Sequence, residues 1–370
     1  MNPFKYGQVV GADDFCPRPA LLTQLTAFIS SGQNVVLQGE RRMGKTSLIH
    51  EAVRRLKNRR MLYVDLLEIK TADDLCRRMV KALVSMEQRA GLLEKILKSL
   101  AHLRPAVTLD PLTGHPTVTL DAAASFTPDS IDGILDLAGQ LHERRPLAMV
   151  FDEFQDILNL PDSREVFALL RSKIQFHKTL PYLFAGSVRN QMADIFTDPE
   201  SPFFKSAISV DVGPLERAAF SRFIAGKFAL GKRIISKELI LKILDIAEDV
   251  PGDAQELCGA IWETTSRNDS IGETNFGPAL ELIYSREAKG YEAALVQLSG
   301  QQLKCLLGLA RLGGKSPQSS AFVRGAGFTL PASVKKALNR LAKLKVIYRH
   351  RGEYKFVNPF FKSWLLWKNY

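Results

Sequence analysis

An α/β fold with a parallel sheet core, a helical lid and a C-terminal winged helix is predicted by three observations. Short apolar, β-branched runs near 34–38, 61–65, 147–151, 181–186 and 206–212 alternate with helical segments, which is the pattern of a parallel sheet covered on both faces. A glycine-bracketed loop, GERRMGKTS (39–47), lies between the first run and an amphipathic helix. The last fifth of the chain reads helix, helix, helix, β-hairpin and holds all of the excess positive charge.

At 370 residues the chain exceeds one ordinary core, so two or three domains are expected, and the chain is divided into a core over 1–214, a helical lid over 215–290 and a basic winged helix over 291–370. Hydrophobic residues at 46 % and charged residues at 24 % describe a globular protein and exclude a disordered or fibrous one. No stretch approaches the about 18 consecutive apolar residues of a membrane span. The opening MNPFKYGQVVGADD lacks the apolar core of a secretory signal, so a cytoplasmic protein without a membrane partner is expected. Cys16, Cys76, Cys258 and Cys305 lie far apart without C-x-x-C spacing and read as reduced packing residues.

The first run, NVVLQ (34–38), suits a buried parallel strand. In KTSLIHEAVRRLK the residues Leu48, Ile49, Ala52, Val53 and Leu56 recur at helical spacing. Between them, Gly39, Gly44, Lys45 and Thr46 fit G-x-x-x-x-G-K-[ST], the phosphate-cradling loop. Such a loop turns successive backbone N–H groups toward phosphates, here across Gly39, Glu40, Arg41, Arg42, Met43, Gly44, Lys45, Thr46 and Ser47. Lys45 would reach the β- and γ-phosphates, and Thr46 would hold Mg²⁺. The expected cofactors are therefore ATP and Mg²⁺.

Downstream, PLAMVFDEFQDI supplies an apolar strand, Leu147 to Phe151, that ends on Asp152 and Glu153. A carboxylate at the end of a strand neighbouring the phosphate loop can hold the Mg²⁺ shell, the role expected for Asp152. Glu153, one residue on, points away from the ion and can polarise a water as the catalytic base. An acidic pair opening a helix N-terminus is the alternative reading of these two positions. The strand PYLFAG (181–186) ends at Ser187, the candidate for touching the γ-phosphate or the attacking water, ahead of Arg189 and Asn190. A plain turn serine is the alternative there.

These residues resemble a known family, the AAA+ and STAND-like P-loop ATPases of the archaeal-ATPase type, kin to origin-recognition initiator ATPases. The resemblance rests on FCPRPALLTQL (15–25), GERRMGKTSLI, VFDEFQ, FAGSVRNQMADIF and the terminal FVNPFFKSWL, and spans nearly the whole chain. It implies that Phe15 and Arg18 lie near the adenine and ribose, and it marks Arg41 and Arg42 as a family trait. Where relatives commonly read Pro-Leu-Tyr-Gly-Arg, this chain reads PFFKS (202–206), with Ser206 in the arginine's place and Lys205 beside it. An arginine finger contributes about 10³–10⁵ in rate, so a site lacking one is expected to bind ATP and hydrolyse it slowly. The lid segment VPGDAQELC (250–258) changes the order of the Gly-x-Pro often found there and assigns no second sensor residue.

Between the helices near 73–101 and 129–143, VTLDPLTGHPTVTLD repeats an alternating tetrapeptide around a Pro/Gly turn and reads as a β-hairpin. With Asp110 and Asp121 and few cations it reads as decoration, with contact to a partner as the alternative.

From Ser299 to Tyr370 there are 14 Lys and Arg against Glu353 alone, which puts +13 in this segment and leaves −2 of the chain's +11 for the first 298 residues. Ser299 caps GQQLKCLLGLARL, SSAFVRGAG forms a short helix, and Thr329 is the expected cap of LPASVKKALNRLAKL. Val334, Leu338, Leu341 and Leu344 form that helix's buried stripe, and VIYRHRGEYKF makes the wing, turning at Arg351-Gly352. A basic module on a near-neutral body is the electrostatic footprint of a polyanion-binding protein. Lys335, Lys336, Asn339, Arg340, Arg349 and Arg351 are the candidate contacts to duplex DNA. Phe360, Phe361, Trp364 and Trp367 read as docking residues.

Two functions stand on this reading. The first is an ATPase acting as a nucleotide-controlled, DNA-associated switch. The second is a STAND-like signalling or defence ATPase whose winged helix contacts protein. A protein partner and ATP-dependent assembly of several copies both stay open.

Overall fold

The computed structural model describes residues 1–86, 105–109, 116–120, 128–187, 189–350 and 352–368. They fall into two compact units, one of Val9–Gly213 and one of Met1–Gln8 with Pro214–Tyr370. The first eight residues thus pack with the C-terminal unit: Phe4 is buried against Phe228, ring centroids 4.7 Å apart.

The first unit is a five-stranded parallel sheet. Its strands are β1 (Val35–Gln38), β2 (Arg60–Asp65), β5 (Leu147–Asp152), β6 (Tyr182–Gly186) and β7 (Ile208–Asp211), in the order β2-β5-β6-β1-β7. A separate antiparallel ribbon pairs β3 (Pro105–Leu109) with β4 (Pro116–Leu120), Val107 opposite Val118. This is the expected hairpin, standing outside the sheet; its Asp110 and Asp121 lie outside the described residues.

β5 and β6 are buried at every position, as fits interior strands with covered faces. Helices Lys45–Arg55, Ala72–Met86, Pro128–Arg144, Ser163–Ile174 and Arg189–Thr197 accompany the sheet. Because all five strands run the same way, their C-terminal ends share one edge. There the loops after β1, β5 and β6 come together, as ligand-binding loops do in open α/β sheets.

That edge rests on an aromatic cluster. Phe151, Phe154, Phe184 and Phe203 are fully buried, and the Phe154 and Phe184 rings lie 4.6 Å apart. Burying each contributes about 1.5–3 kcal/mol. Phe151 and Phe154 flank Asp152 and Glu153, so the packing fixes where the carboxylates emerge. It also holds Glu153 at a φ of 50°, a left-handed conformation a non-glycine residue keeps only when its surroundings over-determine it.

The second unit contains helices Arg217–Ala229, Lys237–Ile246, Pro251–Thr264 and Phe276–Val296, with a short parallel pair, β8 (Ile234–Ile235) and β9 (Ser270–Ile271). Helices Gly300–Leu312, Ser320–Gly325 and Pro331–Lys343 follow. The antiparallel pair β10 (Ile347–His350) and β11 (Glu353–Phe356) and a terminal helix, Pro359–Trp367, complete the unit.

Ser299 caps its helix as expected, in a capping box with Gln302. Thr329 does not cap the third helix: Leu330 is the N-cap, without a side-chain bond, and Pro331 occupies the first turn. Proline's fixed φ starts this helix without a capping oxygen. Leu344 falls at the C-cap and is half-buried, so the stripe closes on Val334, Ala337, Leu338 and Leu341. Phe361 and Trp364 pack on Tyr291, with ring centroids 4.9 and 5.3 Å away, which docks the terminal helix on its own unit. Trp367 is half exposed.

All four cysteines are buried and unbridged. Among the described residues, no helix is long and apolar enough to cross a membrane.

Candidate functional site

The loop 39–44 leaves β1 and enters the helix Lys45–Arg55. Gly39 must be glycine, since a Cβ there would run into the Val212 carbonyl oxygen. Gly44, the N-cap of the helix, has a φ of 83° in open space. It offers no side-chain cap and the first turn holds no acid, so the helix's leading N–H groups and the positive end of its dipole are left for an anion.

Met43 is buried and pins the loop, while Arg41 and Arg42 are exposed and Glu40 is half-buried. Lys45 is buried, and its Nζ donates to the carbonyl oxygens of Gly39 at 2.9 Å and Glu40 at 3.0 Å. Burial lowers its pKa, and the nearby Glu153 and Asp152 carboxylates oppose that shift. Ser47 accepts the Val10 N–H at 3.2 Å, tying the preceding segment to the helix. Phe15 is half-buried. The Arg18 guanidinium donates to the Met43 carbonyl at 2.9 Å and to the Gly213 carbonyl at 2.6 Å, so it braces the phosphate loop from behind.

Asp152 ends β5 beside this loop. Its Oδ2 accepts Thr46 Oγ1 at 2.6 Å and the Tyr63 hydroxyl at 2.8 Å, and its Oδ1 accepts the Glu153 N–H at 3.0 Å. Burial and the Asp152 charge raise the Tyr63 pKa, which keeps the phenol protonated and donating. The Tyr63 ring packs 5.4 Å from that of His50, whose pKa burial lowers so that it is neutral at pH 7.

Glu153 Oε2 accepts two hydrogen bonds, from Ser187 Oγ at 2.8 Å and from Gln155 Nε2 at 2.6 Å. Ser187 and Gln155 are both buried, and a Cβ on Gly186 would collide with the Gln155 side chain. A hydroxyl and a carboxylate at one strand edge, next to a helix N-terminus and a lysine, make an arrangement that can hold Mg²⁺ against phosphates. A second, oriented carboxylate beside them can take a proton from water. Among the described residues no group of three or more His, Cys, Asp and Glu could hold a metal.

In the second unit, Lys335, Lys336, Asn339 and Arg340 are all exposed on the helix Pro331–Lys343, opposite its buried stripe. Arg349 is exposed on β10, its guanidinium 5.8 Å from the Tyr354 ring. Arg351 lies outside the described residues, as do the side chains of Arg189 and Asn190.

Comparison with known families matches residues 18–184 to the AAA ATPase domain and residues 289–367 to a probable winged helix domain. The chain joins an AAA ATPase domain to a C-terminal winged helix. No curated protein matches it. Among solved structures it is similar to the Walker-type ATPase of Pyrococcus abyssi, with a TM-score of 0.66 at 20 % identity over 98 % of this chain and 99 % of that one. The Aeropyrum pernix ORC1 protein, solved in complex with DNA, gives 0.52 at 14 % identity, covering 96 % and 94 %. The ORC2 protein of the same organism, in ADPNP–ADP complexes, gives 0.52 at 14 %, covering 99 % and 98 %. At such identities the likeness carries the fold.

Two residues of the AAA domain site escaped sequence reading. Tyr63 sits inside MLYVD, where an aromatic in a strand signals only packing; its reach to Asp152 follows from the β2–β5 register, which sets Asp65 opposite Asp152. Gln155 follows the acidic pair within VFDEFQ, and the 3₁₀ turn Phe154–Asn159 swings its amide back onto Glu153.

Proposed function

We propose that the AAA domain binds Mg·ATP at residues 39–47 and hydrolyses it slowly, and that nucleotide state controls engagement of duplex DNA by the winged helix. In this reading residues 215–290 act as the helical lid and residues 291–370 as the DNA-binding module. Mg·ATP would supply the phosphoanhydride to be cleaved and a cation to shield its charge.

The chain's residues divide the work. Thr46 and Asp152 would hold the ion, with Tyr63 fixing the Asp152 carboxylate. Lys45 exchanges the Gly39 and Glu40 carbonyls for phosphate oxygens. Glu153, oriented by Ser187 and Gln155, takes the proton of the attacking water.

The observation that carries the DNA reading is the face of the third winged-helix helix. Lys335, Lys336, Asn339 and Arg340 are exposed together, and among the described residues none of these cations pairs with a carboxylate. Lysines suit phosphates; Asn339 and Arg340 are suited to base edges.

Binding of fluorescent duplex DNA with and without Mg·ATP tests this, in wild type, Lys45→Ala and Lys336→Glu/Arg340→Glu. The expected result is binding that responds to ATP only in wild type and with Lys45 intact, and that the double reversal abolishes while sparing ATP binding. Lys336→Glu alone, which removes one phosphate contact, should lower the salt slope by about 1. DNA binding unchanged by the double reversal overturns the proposal and favours a protein-contacting, signalling winged helix.

A further inference from the structure

The N-terminal ends of β1, β6 and β7 gather at the sheet edge opposite the phosphate loop. There the segments leading into these strands, with the end of the helix Ser163–Ile174, line an open cavity of about 380 Å³. Its wall carries Arg171, Lys178 and Lys205, the neutral donors Gln33, Gln175 and Ser206, and no Asp or Glu. Among the described residues none of the three cations is paired with a carboxylate. This contrasts with Lys173 on the same helix, whose ammonium sits 2.9 Å from Asp136.

The concavity is built. Gly32, at a φ of 72°, lets the 178–179 backbone rest directly upon it, with a notional Cβ only 3.0 Å from Thr179 Cα and 3.2 Å from the Lys178 carbonyl oxygen. That contact fixes the Lys178 backbone at the rim. His177 is held in the wall by the Tyr182 hydroxyl at 2.6 Å, and burial keeps its ring neutral at pH 7, so the charge of the cavity is that of the arginine and two lysines.

Three unpaired like charges around one depression repel one another, and a multivalent anion relieves that cost. A carboxylate brings one negative charge; a phosphoryl group brings up to two and a tetrahedral set of acceptors. The Arg171 fork can meet two of those acceptors while the lysines meet the others.

We propose that this cavity is a second anion site of the chain, separate from residues 39–47, that takes the phosphoryl groups of a polyphosphate or of a nucleic-acid strand. The two sources share one chemistry and are separated by the probes below.

Inorganic tripolyphosphate is titrated calorimetrically into wild type, Lys45→Ala and Arg171→Glu/Lys205→Glu, and a fluorescein-labelled oligothymidylate is titrated in the Lys336→Glu/Arg340→Glu background with and without the same reversal. One tripolyphosphate site that survives Lys45→Ala and weakens about tenfold or more on reversal is the expected result, the scale of losing one charge-assisted contact. Oligothymidylate binding that the reversal also weakens identifies a strand as the source; its indifference identifies free polyphosphate. The milder Lys178→Gln/Lys205→Gln variant, checked by its melting temperature, guards against misfolding and should weaken the same site. If both anions bind the reversed variants as they bind wild type, or if Lys45→Ala alone removes all tripolyphosphate binding, the site does not exist.

Discussion

Ser187 Oγ donates to Glu153 Oε2 at 2.8 Å, joining the ends of two adjacent parallel strands, β5 and β6. The serine therefore orients the carboxylate proposed as base, and its loss should affect chemistry more than binding. Ser187→Ala is expected to lower kcat about tenfold with ATP affinity unchanged, whereas Glu153→Gln should lower kcat by about 10²–10⁴ and leave ATP trapped. Single-turnover hydrolysis beside equilibrium ATP binding measures both, and a Glu153→Gln variant hydrolysing normally would remove Glu153 from the mechanism.

Tyr63 and Thr46 share Asp152 Oδ2. Removing the phenol hydroxyl leaves the carboxylate with one side-chain donor and freer to turn. For Tyr63→Phe the Mg²⁺ concentration giving half-maximal activity should rise by about 10–100-fold, the usual cost of losing a partner behind a metal ligand. Metal-free nucleotide binding should hold. An unchanged Mg²⁺ dependence would make Tyr63 a packing residue.

Burial lowers the Lys45 pKa, so between its folded value and the ordinary lysine value of about 10.4 the unfolded chain binds more protons than the folded one. Stability from this group is complete above about 10.4 and is lost as pH falls through the folded value. Relative to Lys45→Met, the nucleotide-free wild type should gain stability as pH rises through this window, read from urea midpoints. Nucleotide affinity should fall over the same range, because a neutral amine no longer pairs with phosphate. Parallel stability curves for the two proteins would refute the assignment.

Gly39 and Gly44 are required for different reasons. Gly39→Ala drives a Cβ into the Val212 carbonyl and should cost about 1–3 kcal/mol. Gly44→Ala meets no atom but places alanine at a φ of 83°, about 1–2 kcal/mol. Urea unfolding gives both values. Relief of the first by a backbone shift at residues 212–213 would weaken Arg18's hold on Gly213, so Arg18→Lys should cost less in the Gly39→Ala background than in wild type.

The sequence alone was enough for most of what is written in local spacing, though not for the Thr329 cap or the place of Leu344. The P-loop from Gly39 to Thr46, the acidic pair after an apolar strand and the serine after the next are each set by a few consecutive residues, because a strand running into a turn or helix is a short-range event. The winged-helix order and the cationic face of Lys335, Lys336, Asn339 and Arg340 were legible for the same reason, since a helical period separates buried from exposed positions within four residues.

Contacts between distant segments were decided only by the tertiary structure. Tyr63 reaches Asp152 through strand register, Gln155 reaches Glu153 through a 3₁₀ turn, and Arg18 reaches Met43 and Gly213 across the fold. Met1–Gln8 joins the unit that begins at Pro214, and Lys205 converges with the distant 171–178 stretch, which carries Arg171 and Lys178, on one cavity. A side chain's partner across the fold depends on how strands align and helices pack. That alignment follows from burial of the whole core, to which no single stretch of sequence contributes enough to reveal it.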